Sequence, residues 1–311
     1  MRCITACAGC LLSLSVSAGE ADLKHPDWHP DGAMLIAEGS CHGNIGLYLV
    51  ELAENSARLL YDSVHVDGYP RWFADGERIV FHQIDNKRQA RLFVARVSAD
   101  GDIANVERVT SGPFDIEPAP SPDSMQIAFS SAGDTGQDIS VLDLQTNEQH
   151  TWRTQAAENF PSWHPDGHSI LYHARDADGA QVYLRSLQND EIRQLTQGAS
   201  PNMVGHLDNE GARLVFSSER DGDREIYLKD LERGDEARLT TRAGRDGYPK
   251  FSPDGERIAY HRASDDGSTS LRILDLASGE TRDFSCTSLR NIPTGATRQD
   301  TRFMEGEFVR S

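Results

Sequence analysis

Apolar and polar side chains alternate over short stretches of this chain, and the alternation restarts six times. After the turn Pro165-Asp166-Gly167, Ile170 and Tyr172 fall on one face while Leu171 and His173 fall on the other. That two-residue period is the signature of a strand. Equivalent pairs are Leu35/Ala37, Ile79/Phe81, Ile127/Phe129, Leu214/Phe216 and Ile258/Tyr260. A tight turn precedes each pair: Pro30-Asp31-Gly32, Ala74-Asp75-Gly76, Pro122-Asp123-Ser124, Pro165-Asp166-Gly167, Asn209-Glu210-Gly211 and Pro253-Asp254-Gly255. Pro presets φ, Asp caps its own turn, and Gly takes the backbone region other residues avoid. The acidic turn residues lie 44, 48, 43, 44 and 44 residues apart. A period of ~40–45 residues is that of a propeller blade.

Each repeat divides into four strands, A to D. Strand A precedes the turn and strand B follows it. Strand C is the next apolar run: Leu47–Val50, Leu92–Val97, Ile139–Leu142, Val182–Leu184, Ile226–Leu228 and Leu271–Leu274. Strand D is short, as in Gln194-Leu195-Thr196 and Arg238-Leu239-Thr240. Burying one large side chain contributes ~1.5–3 kcal/mol, whereas ordering a repeat costs ~1–2 kcal/mol per residue in backbone entropy. One such sheet recovers that cost only when both of its faces are covered. Radial stacking covers both, and closing the circle leaves no end sheet exposed. The expected fold is all-β: a six-bladed β-propeller of four-stranded antiparallel blades at about 24–63, 67–112, 115–155, 158–198, 201–242 and 246–286. Residues 287–311 form a tail, read either as a closure strand over Arg302–Val309 or as disorder.

Pro249-Lys250-Phe251-Ser252-Pro253-Asp254-Gly255 followed by Ile258-Ala259-Tyr260, and Ser217-Ser218-Glu219-Arg220-Asp221-Gly222 leading to Ile226-Tyr227, resemble the repeats of the TolB-type propeller, a relative of the WD-repeat class. The resemblance covers roughly residues 24–285 and implies the fold more than a function. TolB itself carries an additional α/β domain before its propeller. Here the expectation is a propeller without that domain, and so no assured place in the Tol envelope machinery.

The first 18 residues read as an export signal: Arg2, a short apolar run, then small residues with Val16 and Ala18 at the recognition positions. The run is too short to span a bilayer. Cys7-Ala8-Gly9-Cys10 faintly resembles a lipoprotein cleavage site, but Cys7 stands where an aliphatic residue is wanted. The expected location is periplasmic or secreted, as a monomer. Of five cysteines, Cys41 and Cys286 remain after cleavage, in repeats that a ring makes neighbours. They are read either as a disulfide latch or as two unrelated thiols. With 49 acidic and 31 basic residues the net charge is −18, which repels a phosphate backbone, so no nucleic-acid partner is expected.

Three residues before the strand-A proline stand Asp67, Asp115, Glu158 and Asp246, with Tyr69, Glu117, Phe160 and Tyr248 next to that proline. A ring brings these toward one mouth of the channel, where an acidic, aromatic rim suits a cation or a basic peptide. The bland alternative is a water-filled channel lined by ordinary turn formers. Six residues past the turn Gly, blades 2, 4 and 6 carry His82, His173 and His261; the other blades carry Glu38, Ser130 and Ser217. These histidines read as strand-end groups bonded to loop backbone rather than as ligands of one metal. Calcium is the one candidate cofactor, from Asp176-Ala177-Asp178-Gly179, Asp221-Gly222-Asp223 and Asp265-Asp266-Gly267, which hairpin turns also explain.

No Gly-x-Ser-x-Gly, His-Glu-x-x-His, phosphate-binding glycine loop or Cys-x-x-Cys occurs. The first reading is an exported, non-catalytic propeller that binds a protein or peptide, envelope-associated, at the acidic mouth. The alternative is a lyase or hydrolase acting on a carbohydrate or lactone through His and carboxylates at that mouth.

Overall fold

The computed structural model describes residues 22–41, 44–98, 100–134, 136–176, 179–284 and 290–291. None of them is helical. The export signal, Cys286 and the tail segment Arg302–Val309 lie outside the described residues. The strands fall into six groups of four, each an antiparallel meander: residues 22–61, 66–108, 116–152, 157–194, 202–238 and 245–284. These are blades 1 to 6.

The turn chemistry is met in all six blades. Gly32, Gly76, Ser124, Gly167, Gly211 and Gly255 take φ between 62° and 71°. The aspartate one residue earlier caps the turn in five blades, as Asp166 Oδ1 accepts the amide of His168. In blade 5 that task passes to Asp208, which accepts the amides of Ala212 and Arg213.

Strand B alternates between two seams. Ile79 and Phe81 pack with blade 1, while Val80 between them packs with blade 3. Every blade repeats this, so six apolar clusters fill six seams, including one that joins blade 6 to blade 1. An open arc of six blades has five seams. The sixth, with Leu23, Leu35 and Ala37 against Ala259, Leu271 and Phe284, closes the circle.

Polar bonds reinforce that seam. Asp22 Oδ1 accepts the Thr269 amide at 2.7 Å and its hydroxyl at 2.9 Å. After blade 6, Arg290–Asn291 runs parallel to the outer strand of blade 1 at Ser56 and Ala57. Strand D is displaced from its expected position. It ends at Gln194 and Arg238, and the following Thr196 and Thr240 use their hydroxyls, not their backbones, to accept the amides of Val182 and Ile226.

Candidate functional site

The innermost strands are Asp22–Trp28, Val66–Trp72, Ile116–Pro120, Ala157–Trp163, Asn202–Leu207 and Arg245–Phe251. Successive ones touch around the whole circle, so they line the axis. Each slips register against its second strand, for example between Gly68 and Arg71 or between Gly247 and Lys250. Such a slip places an extra residue in a bulge and re-aims its side chain. The bulged residues are His25, Tyr69, Glu117, Phe160, Val204 and Tyr248, all at φ between 50° and 58°. None is glycine. A left-handed backbone recurring at six equivalent non-glycine positions marks a built feature of the axis.

Tyr69, Phe160 and Tyr248, from alternate blades, meet one another. Their ring centroids are 5.8, 5.9 and 5.3 Å apart, and the hydroxyls of Tyr69 and Tyr248 are 3.3 Å apart. His25 stacks on Tyr69 at 3.9 Å. The rings therefore stopper the axis at this depth, in place of a continuous water-filled channel.

The backbone amides of the bulged residues are taken up by the preceding blade. His82 Nδ1 accepts from Glu117, His173 Nδ1 from Val204, and His261 Nδ1 from His25, at 3.3–3.5 Å. Glu38 accepts from Tyr69, and Ser130 Oγ accepts from Phe160 at 3.2 Å. The set that alternates His with Glu or Ser in the sequence is thus one ring of inter-blade acceptors. Ser217 holds the sixth position, and among the described residues its buried Oγ has no hydrogen-bond partner. Accepting at Nδ1 requires a neutral ring with its proton on Nε2. Burial holds the rings neutral, lowering His82 to about 4 and His173 to about 3, and His261 well below the usual histidine range. His25 Nδ1 lies 3.1 Å from Glu38 Oε1 but off the line of a hydrogen bond.

The four expected rim carboxylates are not shared around a mouth. Each is buried and engaged by its own blade. Asp67 accepts from Ser63 and Gln83, Asp115 from the Gly112 amide, and Glu158 from Arg185. Asp246 holds Arg262 through both oxygens. Burial raises Asp67 to about 6 against its hydrogen bonds, and raises Asp115 and Glu158 as well. The four carboxylates are thus engaged within the fold. A buried carboxylate is tolerated when hydrogen-bonded or paired at short range, and each blade supplies its own partner. Glu117 is the exception that faces the stopper; it accepts from Ser130 Oγ at 2.7 Å and from the Phe160 amide at 3.0 Å, and burial pushes it to about 7.

Beyond the stopper, toward the A–B turns, the axis opens into a cavity of about 440 Å³. Its wall includes Asp27, Arg71, Ala119, Ser162, His206 and Lys250, each two residues past a bulge, with Trp72 and Trp163. Sequence reasoning missed this end. The signal was present: Asp27, Arg71 and Lys250 are charged residues directly after the strand-A prolines Pro26, Pro70 and Pro249. Among the described residues, no group of three or more His, Cys, Asp or Glu side chains could hold a metal ion. In the B–C loops, Asp221 binds the hydroxyl of Tyr227 and Asp266 caps Ser268.

Six antiparallel groups of four strands, closed around an axis by apolar seams and inter-blade hydrogen bonds, define a β-propeller. Residues 83–300 match the family described as the TolB beta propeller domain, and the chain belongs to that family. An uncharacterized protein of Agrobacterium fabrum is 24% identical over 229 residues, 71% of this chain and 74% of that one. TolB from Acinetobacter baumannii is similar in structure, with a TM-score of 0.68 and 18% identity over 85% of this chain; the match spans 63% of that protein. The oligogalacturonate lyase of Vibrio parahaemolyticus has a TM-score of 0.58 and 14% identity, over 85% of this chain and 77% of its own. At these identities the structural likeness shows the fold alone. Among the described residues, no helix is long and apolar enough to cross a membrane.

Proposed function

We propose that the protein is an exported, monomeric, non-catalytic propeller that binds a protein or peptide at the D–A/B–C end of its axis, in the periplasm or outside the cell. The observation that carries this is the commitment of its titratable groups. His82, His173 and His261 each spend Nδ1 on the next blade, and Asp246 and Glu158 are paired with Arg262 and Arg185. Groups so occupied hold a ring together and are poor proton carriers. Among the groups this end offers a partner are apolar ones: the half-buried rings of Tyr69, Phe160 and Tyr248, the exposed D–A loop residue Val64 and, at the start of the next strand, Val66, 67% and 40% accessible. Such patches on soluble proteins mark contact surfaces. With the rim carboxylates engaged, the reason for a cationic partner weakens, and an apolar peptide segment fits better.

A photo-crosslinking residue at Val64 or Val66 in the exporting cell tests this. One discrete cross-linked envelope species, lost when Phe160 is changed to Ser in a folded variant, is the expected result. No species at either position would count against the reading.

A second reading, a lyase or hydrolase on a carbohydrate or lactone, rests on Glu117. Its pKa near about 7 suits general acid or base work, although it sits within the stopper. Turnover of glycan, lactone or peptide substrates, with and without calcium, that disappears in Glu117→Gln would favour this reading. The same calcium arm tests whether the B–C loop aspartates take that ion.

A further inference from the structure

The A–B end of the axis differs from the stoppered end in one respect: its charged groups are not all matched. Lys250 is 8% accessible and lines the cavity. Among the described residues its ammonium has no hydrogen-bond or ion-pair partner. Asp27, the nearest carboxylate on the wall, is used otherwise: it accepts the Trp72 amide at 2.9 Å and stands 3.9 Å from Arg71 Nε. Arg71 gives Nη1 to the carbonyls of His25 and Pro70, and among the described residues Nη2 makes no hydrogen bond. His206 Nδ1 accepts the Phe251 amide at 3.2 Å, so its Nε2 carries a proton available for donation. Ser162, a buried residue, lines the same cavity, and among the described residues its hydroxyl makes no hydrogen bond.

Four donors from blades 2, 4, 5 and 6 thus line one cavity, two of them cationic, with a single opposing carboxylate. Buried polar groups in native proteins are satisfied as a rule, and a buried cation without a counter-ion is the costliest exception. The Lys250 ammonium opens onto the cavity, where an entering anion would add to the single opposing carboxylate, Asp27. Its planar geometry lets a carboxylate accept several hydrogen bonds at once. The volume matches sites for small ligands or a chain end rather than for a folded partner. A net charge of −18 does not oppose this, because distant surface charges are screened over about 10 Å while a buried contact is not.

We propose that the axial cavity on the A–B turn side binds a carboxylate group, with Lys250 as its charge partner and Arg71, His206 and Ser162 as hydrogen-bond donors. This site is independent of the partner surface at the other end. The carboxylate comes from a small free acid or from the C-terminus of a peptide, and the chemistry is the same for both.

The test uses the full chain at about pH 6, where a lysine depressed to about 7 is still charged. Acetate, succinate and a short apolar peptide with a free C-terminus are titrated calorimetrically, with glycerol and the C-terminally amidated peptide as neutral controls. The expected result is binding by at least one carboxylate probe, none by the neutral controls, and at least a tenfold loss of affinity in Lys250→Met. Succinate binding without peptide binding identifies a free acid as the source, and the reverse identifies a chain end. Wild-type affinity should also fall about tenfold per pH unit above about 7 as the ammonium is lost. That profile serves if Lys250→Met fails to fold; Arg71, Asp27 and His206 face the same cavity, and burial holds His206 well below this range. Failure of every carboxylate probe at millimolar concentration overturns the proposal. So does a Lys250→Met protein that binds like the wild type, or a flat pH profile.

Discussion

His82 Nδ1 accepts the backbone amide of Glu117 at 3.5 Å across the seam between blades 2 and 3. His173 does the same for Val204 at 3.4 Å, from blade 4 to blade 5. A sequence pattern that resembles a metal or catalytic set is, in the folded ring, a way of fastening each blade to the next.

Acid should loosen these fastenings. Burial lowers His173 to about 3, with Arg175 and Arg224 adding to the shift, whereas the unfolded chain protonates it near about 6.5. The unfolded state therefore binds the proton first as pH falls. The contribution is whole above about pH 6.5 and is lost below it, by about 1.4 kcal/mol per pH unit. His173→Asn keeps an acceptor but does not titrate, so its stability should fall less steeply than wild type between about pH 6.5 and about 4. Urea unfolding across that range measures the difference. Raised acids such as Glu117 contribute with the opposite sign in both proteins and cancel in the comparison.

Asp246 and Arg262 form a pair that is 0% and 4% accessible. Asp246→Asn leaves a buried guanidinium without its charge partner and should cost about 3–5 kcal/mol. Replacing both, as Asp246→Leu with Arg262→Met, should recover most of that loss. If the single and double variants unfold at the same urea midpoint, the pair is not what holds this corner of blade 6.

Two tryptophans at equivalent turns should respond differently. Trp28 Nε1 donates to the Lys250 carbonyl at 3.2 Å across the closing seam, while the buried Trp72 Nε1 has no partner among the described residues. Trp28→Phe removes that bond while Lys250 keeps its ladder pairing with Ala259, and should cost about 0.5–1.5 kcal/mol beyond the packing loss common to both. Trp72→Phe removes an unsatisfied group and should cost less than Trp28→Phe. Chemical denaturation of the two variants decides the order.

Cys41 is held in a disulfide whose other half lies outside the described residues. In the sequence Cys286 stands between Phe284, the end of blade 6, and Arg290–Asn291, which pairs with the outer strand of blade 1, the blade that carries Cys41. Pairing of Cys41 with Cys286 is therefore expected, with no free thiol in the unfolded, unreduced mature protein. A count of two thiols there would falsify the latch. Reduction should lower the thermal midpoint, because the loop closed between these cysteines is long.

Reading the sequence alone determined the repeat, the six turns, the alternation of strand B and the propeller class. Each follows from local rules: a period of two along a strand, and turn residues that suit a left-handed corner. The alternation of His82, His173 and His261 with Glu38, Ser130 and Ser217 was also visible, and so was the pairing of aromatic and acidic residues near the strand-A prolines. Which partner each would take was not. Only the tertiary structure decided that Asp246 belongs to Arg262, that Tyr69, Phe160 and Tyr248 close the axis, and that Lys250 is buried against the cavity at the other end. The physical reason is that burial and the identity of the facing group set the fate of a polar side chain. Both arise where residues from blades distant in the chain meet at one seam or around one axis.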